Sequence, residues 1–181
     1  MKKSKYVRPC LRRSVLALAL GLLGCGDDAD DAPKTAVADI QGLGTNTAVT
    51  GRLTFEQVSA GVMITGSISG LAPNSTHGMH LHEKGDCSAA DGMSAGGHWN
   101  PSAHMHGGLE SAASHLGDLG NLVADSSGRA TVSLTKAGAK VADGSAMDVI
   151  GRGVIVHADA DDLMTDPSGN SGARIACGSV H

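Results

Sequence analysis

The chain carries nine histidines, and seven of them fall between His77 and His115. His80 and His82 flank Leu81 in an apolar stretch; on a strand, residues two apart share a face, so both imidazoles can reach one metal ion. His98, His104, His106, His115 and Asp118 follow within 21 residues. Imidazole and carboxylate donors without a thiolate cluster suit Zn(II) and Cu(II), and they argue against an iron-sulfur or cysteine-type zinc site. His157 closes the apolar run Gly153-Val154-Ile155-Val156, where it reads either as a ligand or as a hydrogen-bonded core histidine.

Such donors need a rigid frame, and the composition says which kind. Of 181 residues, 41% are hydrophobic but only 2% aromatic, so Val, Ile, Leu, Ala and Met must fill the core of what is one domain by length. The 26 glycines point to many turns and short strands rather than long helices. Residues 62–68 and 130–135 alternate apolar and polar with period two. Further strand candidates are 36–40, 49–57, 78–83, 119–125, 148–158 and 174–178, which makes eight, with Ser126-Ser127-Gly128 as a tight turn. Closely spaced strands of this kind predict an all-β fold, an eight-stranded antiparallel Greek-key sandwich or barrel. Two long stretches without strand pattern, 85–117 and 159–173, are expected to be functional loops.

The N-terminus reads as an address. Lys2, Lys3, Lys5, Arg8, Arg12 and Arg13 precede an apolar run that is too short for a transmembrane helix, so residues 1–24 are expected to be a signal peptide. The run ends Leu22-Leu23-Gly24-Cys25, which resembles a lipobox. Cys25 is therefore the expected lipidation site, holding the protein on the periplasmic side of a bacterial membrane. Gly26 after it, rather than Asp, favours the outer membrane. Residues 25–34 form an acidic tether, and the folded domain is expected over 35–181. Removing six basic residues and no acid leaves 14 − 6 = 8 Lys/Arg against 18 Asp/Glu, a formal charge of −10. With no basic cluster beyond the leader and few aromatics, nucleic acid is not an expected partner. Cys87 and Cys177 are the only cysteines left in the exported domain, so a disulfide is the economical reading.

Four motifs in order, Gly78-Met79-His80-Leu81-His82-Glu83-Lys84-Gly85-Asp86-Cys87-Ser88, Gly97-His98-Trp99-Asn100-Pro101, His115-Leu116-Gly117-Asp118-Leu119-Gly120-Asn121 and Gly169-Asn170-Ser171-Gly172-Ala173-Arg174-Ile175-Ala176-Cys177-Gly178, closely resemble the Cu/Zn superoxide dismutase family. The resemblance implies one copper per chain on His80, His82, His98 and His157, and one zinc on His98, His106, His115 and Asp118. His98 would be shared between them as an imidazolate. His104, two residues early, is not the implied ligand; His77 and His181 read as exposed and uninvolved. Asp161 would link His80 to His106. The implied reaction is dismutation of superoxide to dioxygen and hydrogen peroxide by a Cu(II)/Cu(I) cycle, with His98 taking and returning a proton, Arg174 orienting the anion and zinc playing a structural part. Residues 167–169 lack the acidic and basic residues of the eukaryotic enzymes, which leaves Lys84 as the expected steering charge. A metal carrier on the same fold is the rival reading. The subunit is expected to be a monomer or a homodimer.

Overall fold

The computed structural model of the chain describes residues 32–181, so the leader 1–24 and Cys25 lie outside the described residues. Eight strands follow in order: β1 (Thr35–Gly42), β2 (Thr50–Val58), β3 (Gly61–Ser69), β4 (Thr76–His82), β5 (Asp118–Val123), β6 (Ala130–Lys136), β7 (Gly153–His157) and β8 (Arg174–Ser179). The only helical segment among the described residues is a 3-10 turn, Met93–Ala95. Every strand pairing is antiparallel, in the order β5-β4-β7-β8-β1-β2-β3-β6. Pairing β3 with β6 and β4 with β7 gives the crossovers of a Greek key, curled into a nearly closed barrel. The two long segments between β4 and β5 and between β7 and β8 are loops, as the sequence predicts.

Alternation explains the interior. On β2, Leu53 and Phe55 point inward, Phe55 opposite Ile64 of β3, and both are fully buried, as is Ile68. Each such side chain contributes about 1.5–3 kcal/mol on burial. Leu81, Met79 and the single Trp, Trp99, join this aliphatic core beneath the metal-ligand candidates.

β7 is shorter than the expected 148–158. The Asp148 carboxylate accepts N–H bonds from Ala142, Asp143, Gly144 and Ile150, at 2.8–3.0 Å, and winds the chain before β7 into a compact loop. Val149 in that loop is buried at the barrel end, which gives the same hydrophobic signal as a strand residue. At the opposite boundary, the Gln57 N–H donates to the carbonyl of Lys34, so the chain is tied to the sheet from that residue onward.

β5 and β6 are the two ends of the sheet order, and no ladder joins them. The Ser126-Ser127-Gly128 turn connects them at one end, where Gly128 adopts φ +77° and a side chain would collide with the Leu71 carbonyl.

Candidate metal centre

β4 delivers His80 and His82 to one face, and β7, its antiparallel neighbour, ends with His157. His98 comes from the long loop, which is stitched to the end of β4. Trp99 N–H donates to Leu81 O and Gly117 N–H to Trp99 O, both at 2.8 Å, while Leu81 N–H donates back to Gly117 O. Glu83 N–H reaches Gly97 O at 3.0 Å, and His82 and His98 form an isolated antiparallel bridge. A disulfide between Cys87 and Cys177, with Cα atoms 5.7 Å apart, fastens the same loop to β8. Closing a loop of 90 residues restricts the unfolded chain by roughly 4–5 kcal/mol in the entropy account.

His80, His82, His98 and His157 form one buried group whose donor atoms all lie within 4.8 Å of one another. In each ring one nitrogen faces an oxygen that can only accept, which assigns the proton. His80 Nε2–H donates to Asp161 Oδ2 (2.8 Å), His82 Nδ1–H to Gly96 O (3.0 Å), His157 Nδ1–H to Gly172 O (3.2 Å), and His98 Nδ1 faces Asp118 Oδ1 (2.9 Å). The remaining nitrogens, His80 Nδ1, His82 Nε2, His98 Nε2 and His157 Nε2, are the buried side-chain polar atoms without a protein partner among the described residues. Burial pushes His82 down to about 2, His157 to about 3 and His98 to about 4, and lowers His80 too. Near neutral pH these are uncharged rings presenting four lone pairs to one point, a donor set that fits copper.

The second group is built around Asp118, the first residue of β5 and the register partner of His80. Its Oδ1 lies 2.9 Å from His98 Nδ1 and 3.1 Å from both His106 Nδ1 and His115 Nδ1, with His98 and His115 Nδ1 atoms 3.4 Å apart. A tetrahedral zinc with ligands at 2.0–2.1 Å has donor-donor edges of about 3.3 Å, so the residues fit that ion. The chemistry agrees. His106 Nε2–H donates to Asp161 Oδ1 (2.8 Å), which in a neutral ring turns the Nδ1 lone pair toward the Asp118 carboxylate, an arrangement that a cation between them relieves. Asp118 Oδ2 accepts N–H bonds from Gly107 and His115, each 3.0 Å. Burial raises the Asp118 carboxyl, but the His98 hydrogen bond and the nearby imidazoles prevail and hold it below the usual range.

Asp161 joins the two groups through His80 and His106. Burial opposes its ionisation, yet those two bonds and the Leu163 N–H (2.7 Å) bring it down to about 2. Asn121 on β5 fixes its main chain at both N–H and carbonyl. Gly169 passes over this link at φ +63°, and a Cβ there would strike Asp161 Oδ1 and His106 Nε2.

A cavity of about 430 Å³ opens onto the first group: His82, His98 and His157 line it, with Arg174, Asp91 and Met93 at its wall. None of His106, His115 and Asp118 lines it. Arg174, opposite His157 in the β7/β8 register, donates Nη1–H to Gly92 O (2.6 Å) and Nη2–H to Gly96 O (2.7 Å). Burial lowers its pKa from the ordinary arginine value. The guanidinium is thus braced against the loop with the rest of its N–H fork available.

The other sequence candidates fall as follows. His104 is exposed, with Nδ1 3.1 Å from Ser114 O, and belongs to neither group. His181 is exposed. Lys84 is exposed and outside the cavity wall, its N–H donating to Ala95 O. His77 corrects the expectation of exposure: it is 6% exposed, donates Nδ1–H to the His157 carbonyl (2.8 Å) and pairs Nε2 with Ser75 Oγ (2.7 Å). It shares strand parity with buried Met79 and Leu81, a signal present in the sequence. Two residues were not anticipated. Asp166 accepts the His106 main-chain N–H at 2.6 Å, and Lys136, 4% exposed, donates Nζ–H to the Asp118 carbonyl at 3.0 Å. Lys136 continues the inward series Ala130, Val132, Leu134, so its burial too was legible in period two.

Comparison with known proteins gives the family. Residues 49–180 match the family described as copper/zinc superoxide dismutase (SODC). The chain is 41% identical over 152 residues to superoxide dismutase [Cu-Zn] of Paramecium bursaria Chlorella virus 1, covering 80% of this chain and 76% of that one. It is 33% identical over 182 residues to the superoxide dismutase-like protein YojM of Bacillus subtilis (strain 168), covering 92% and 93%. The crystal structure of a SOD-like protein from Bacillus subtilis superposes with a TM-score of 0.71 at 33% identity, covering 79% of this chain and 96% of that one. With a Greek-key barrel, two buried donor groups sharing one histidine, and a family match over most of its length, the chain belongs to the copper/zinc superoxide dismutase family.

Proposed function

We propose that the protein dismutates superoxide outside the cytoplasm, converting two superoxide ions and two protons to dioxygen and hydrogen peroxide. The observation that carries this reading is the set of four unpartnered ring nitrogens, three of them on histidines that line a cavity whose wall also holds Arg174. Copper, when bound by His80, His82, His98 and His157, supplies a one-electron Cu(II)/Cu(I) couple, and zinc on His98, His106, His115 and Asp118 supplies a fixed divalent charge, one of each per chain.

The protein's own residues do the rest. Arg174 binds and orients the anion, because its guanidinium stays charged and is already held in place by two carbonyls. His98, a member of both donor groups, would serve both ions as an imidazolate. Its ring, at the cavity wall, would act as the base that holds a proton for the peroxide product. Asp161 keeps His80 and His106 in their required tautomers. The disulfide and the β4 stitching hold the loop that carries His98 in place.

The location reading rests on the basic leader and on Cys25 as a lipid anchor on the periplasmic side of a bacterial membrane, where the enzyme would meet extracytoplasmic superoxide. Membrane fractionation tests it: Cys25→Ser should move into the soluble fraction, and a variant still bound to membranes contradicts lipid anchoring. The activity is tested by metal analysis and pulse-radiolysis superoxide decay on one purified sample. One copper and one zinc per chain with rapid, copper-dependent decay supports the enzyme. A copper-loaded protein that leaves superoxide decay unchanged is a carrier, and ends the enzymatic reading.

A further inference from the structure

β5 and β6 lie side by side in the curled sheet without a ladder between them, and the space along their junction is not filled. A cavity of about 540 Å³ lies along it, lined by Leu119 and Leu122 of β5 and Val132 and Leu134 of β6, and one of about 330 Å³ lies at the end of β6, lined by Lys136, Glu110 and Leu116. The seam is covalently closed at one end by the Ser126-Ser127-Gly128 turn. At the other end it opens beside the zinc group, because β5 begins with Asp118. There the last residue of β6 turns inward, and Lys136 Nζ–H donates to the Asp118 carbonyl at 3.0 Å. Among the described residues this is the only hydrogen bond joining β5 to β6.

We propose that Lys136 is a positioning residue for zinc: it locks the open end of the barrel seam by holding the main chain of Asp118, so that the carboxylate stays where His98, His106 and His115 converge. The proposal rests on the metal-centre reading above. Asp118 is held at three points: Oδ2 by the N–H groups of Gly107 and His115, Oδ1 by His98 Nδ1–H, and its carbonyl by Lys136. Without Lys136, the first residue of an edge strand that borders the larger cavity loses its one hydrogen bond to the neighbouring edge.

A buried ammonium has an opposite effect as well. It repels a divalent ion nearby, so removing the charge could tighten zinc binding, while removing the anchor weakens it. The carbonyl contact decides the direction here. Loss of a partner that orients a metal ligand costs about 10–100-fold in affinity, whereas the charge acts at a distance through an intervening peptide group. Glu110 and Asp118 also offset it.

The test is zinc affinity, measured by chelator competition on metal-stripped protein reloaded with Zn(II), with copper affinity measured in parallel. Lys136→Met should weaken zinc by about 10-fold or more and change copper by less than about threefold, because Lys136 touches no residue of the four-histidine group. Lys136→Arg should recover most of the loss. Lys136→Gln, a polar replacement too short to span the seam, gives a second reading if the Met variant does not fold. Val132→Ala, which opens the core on the same strand without touching Asp118, should lower stability and leave the zinc-to-copper ratio unchanged. The proposal is overturned if folded Lys136→Met keeps wild-type zinc affinity, binds zinc more tightly, or loses both metals in parallel. Wild-type protein that binds copper but no zinc overturns it together with the zinc reading.

Discussion

The two donor groups that share His98 are held in place by different parts of the molecule. In the copper-type group, three of four histidines sit on β4 and β7, paired strands of the barrel, and each donor nitrogen faces no protein partner. In the zinc-type group, His106 and His115 are loop residues and Asp118 only begins a strand at the sheet edge; its donors crowd around a single carboxylate oxygen. The first group is a rigid frame awaiting a ligand, and the second is a loop organised about a carboxylate. Copper should therefore be set by the barrel, while zinc also sets the barrel's longest loop.

The largest effect expected from this contrast is on His157→Ala and His115→Ala. His157→Ala should lose copper and superoxide decay by more than the 10–100-fold that removing a supporting partner costs, yet keep zinc and resist proteolysis in the 85–117 loop. His115→Ala should lose zinc and become protease-sensitive in that loop while still taking up copper. Limited proteolysis with metal analysis reads both. Equal protease sensitivity in the two variants would erase the distinction.

A smaller effect concerns access, which belongs to the copper side alone because the cavity touches no zinc-specific donor. Arg174→Ile should slow superoxide decay about 10–100-fold through loss of a charge-assisted contact, with metal content unchanged and a deficit that persists at high salt. Lys84→Glu should slow it about two- to fivefold at 0.01 M salt and less at 0.1 M, as the Debye length falls from about 30 to 10 Å. A salt-independent Lys84→Glu deficit would make Lys84 something other than a steering charge. No change at all would leave Arg174 as the site's working cation.

The smallest is a pH dependence of the metal-stripped fold. His82, His98 and His157 titrate near 6.5 when unfolded but at about 2, 4 and 3 when folded. Between those limits the unfolded chain binds more protons, so stability is full above about pH 7 and declines as pH falls below 6.5. The Tm of stripped protein should drop from pH 7 to pH 5 by at least about 2–4 °C, the scale of ~1 kcal/mol in a domain this size. A Tm that is flat or rising over that interval would mean these rings are not held neutral.

Much of this architecture was legible in the sequence, for reasons that also explain the misses. Alternation placed β3 and β6 closely, and the spacing of histidines with the family motifs picked out every member of both groups. β7 was overextended because Val149 is buried by a loop that Asp148 folds, and burial alone does not distinguish a loop plug from a strand. His77 and Lys136 were available from parity, His77 with Met79 and Leu81, Lys136 with Val132. Residue type pulled toward the surface while register pulled inward, and register won. Asp166 could not be found this way: its contact with the His106 N–H joins two loops 60 residues apart, and no local pattern encodes it.

The central claim is that one ring, His98, belongs to both groups, and electron paramagnetic resonance addresses it directly. Protein loaded with Cu(II) and Zn(II) should give an ordinary Cu(II) signal. Replacing zinc by Co(II), a paramagnetic ion suited to the same tetrahedral donors, should abolish that signal at low temperature, because an imidazolate shared by both ions couples their spins. A Cu(II) signal that survives stoichiometric Co(II) loading at full intensity would contradict a shared His98 and leave two separate metal sites.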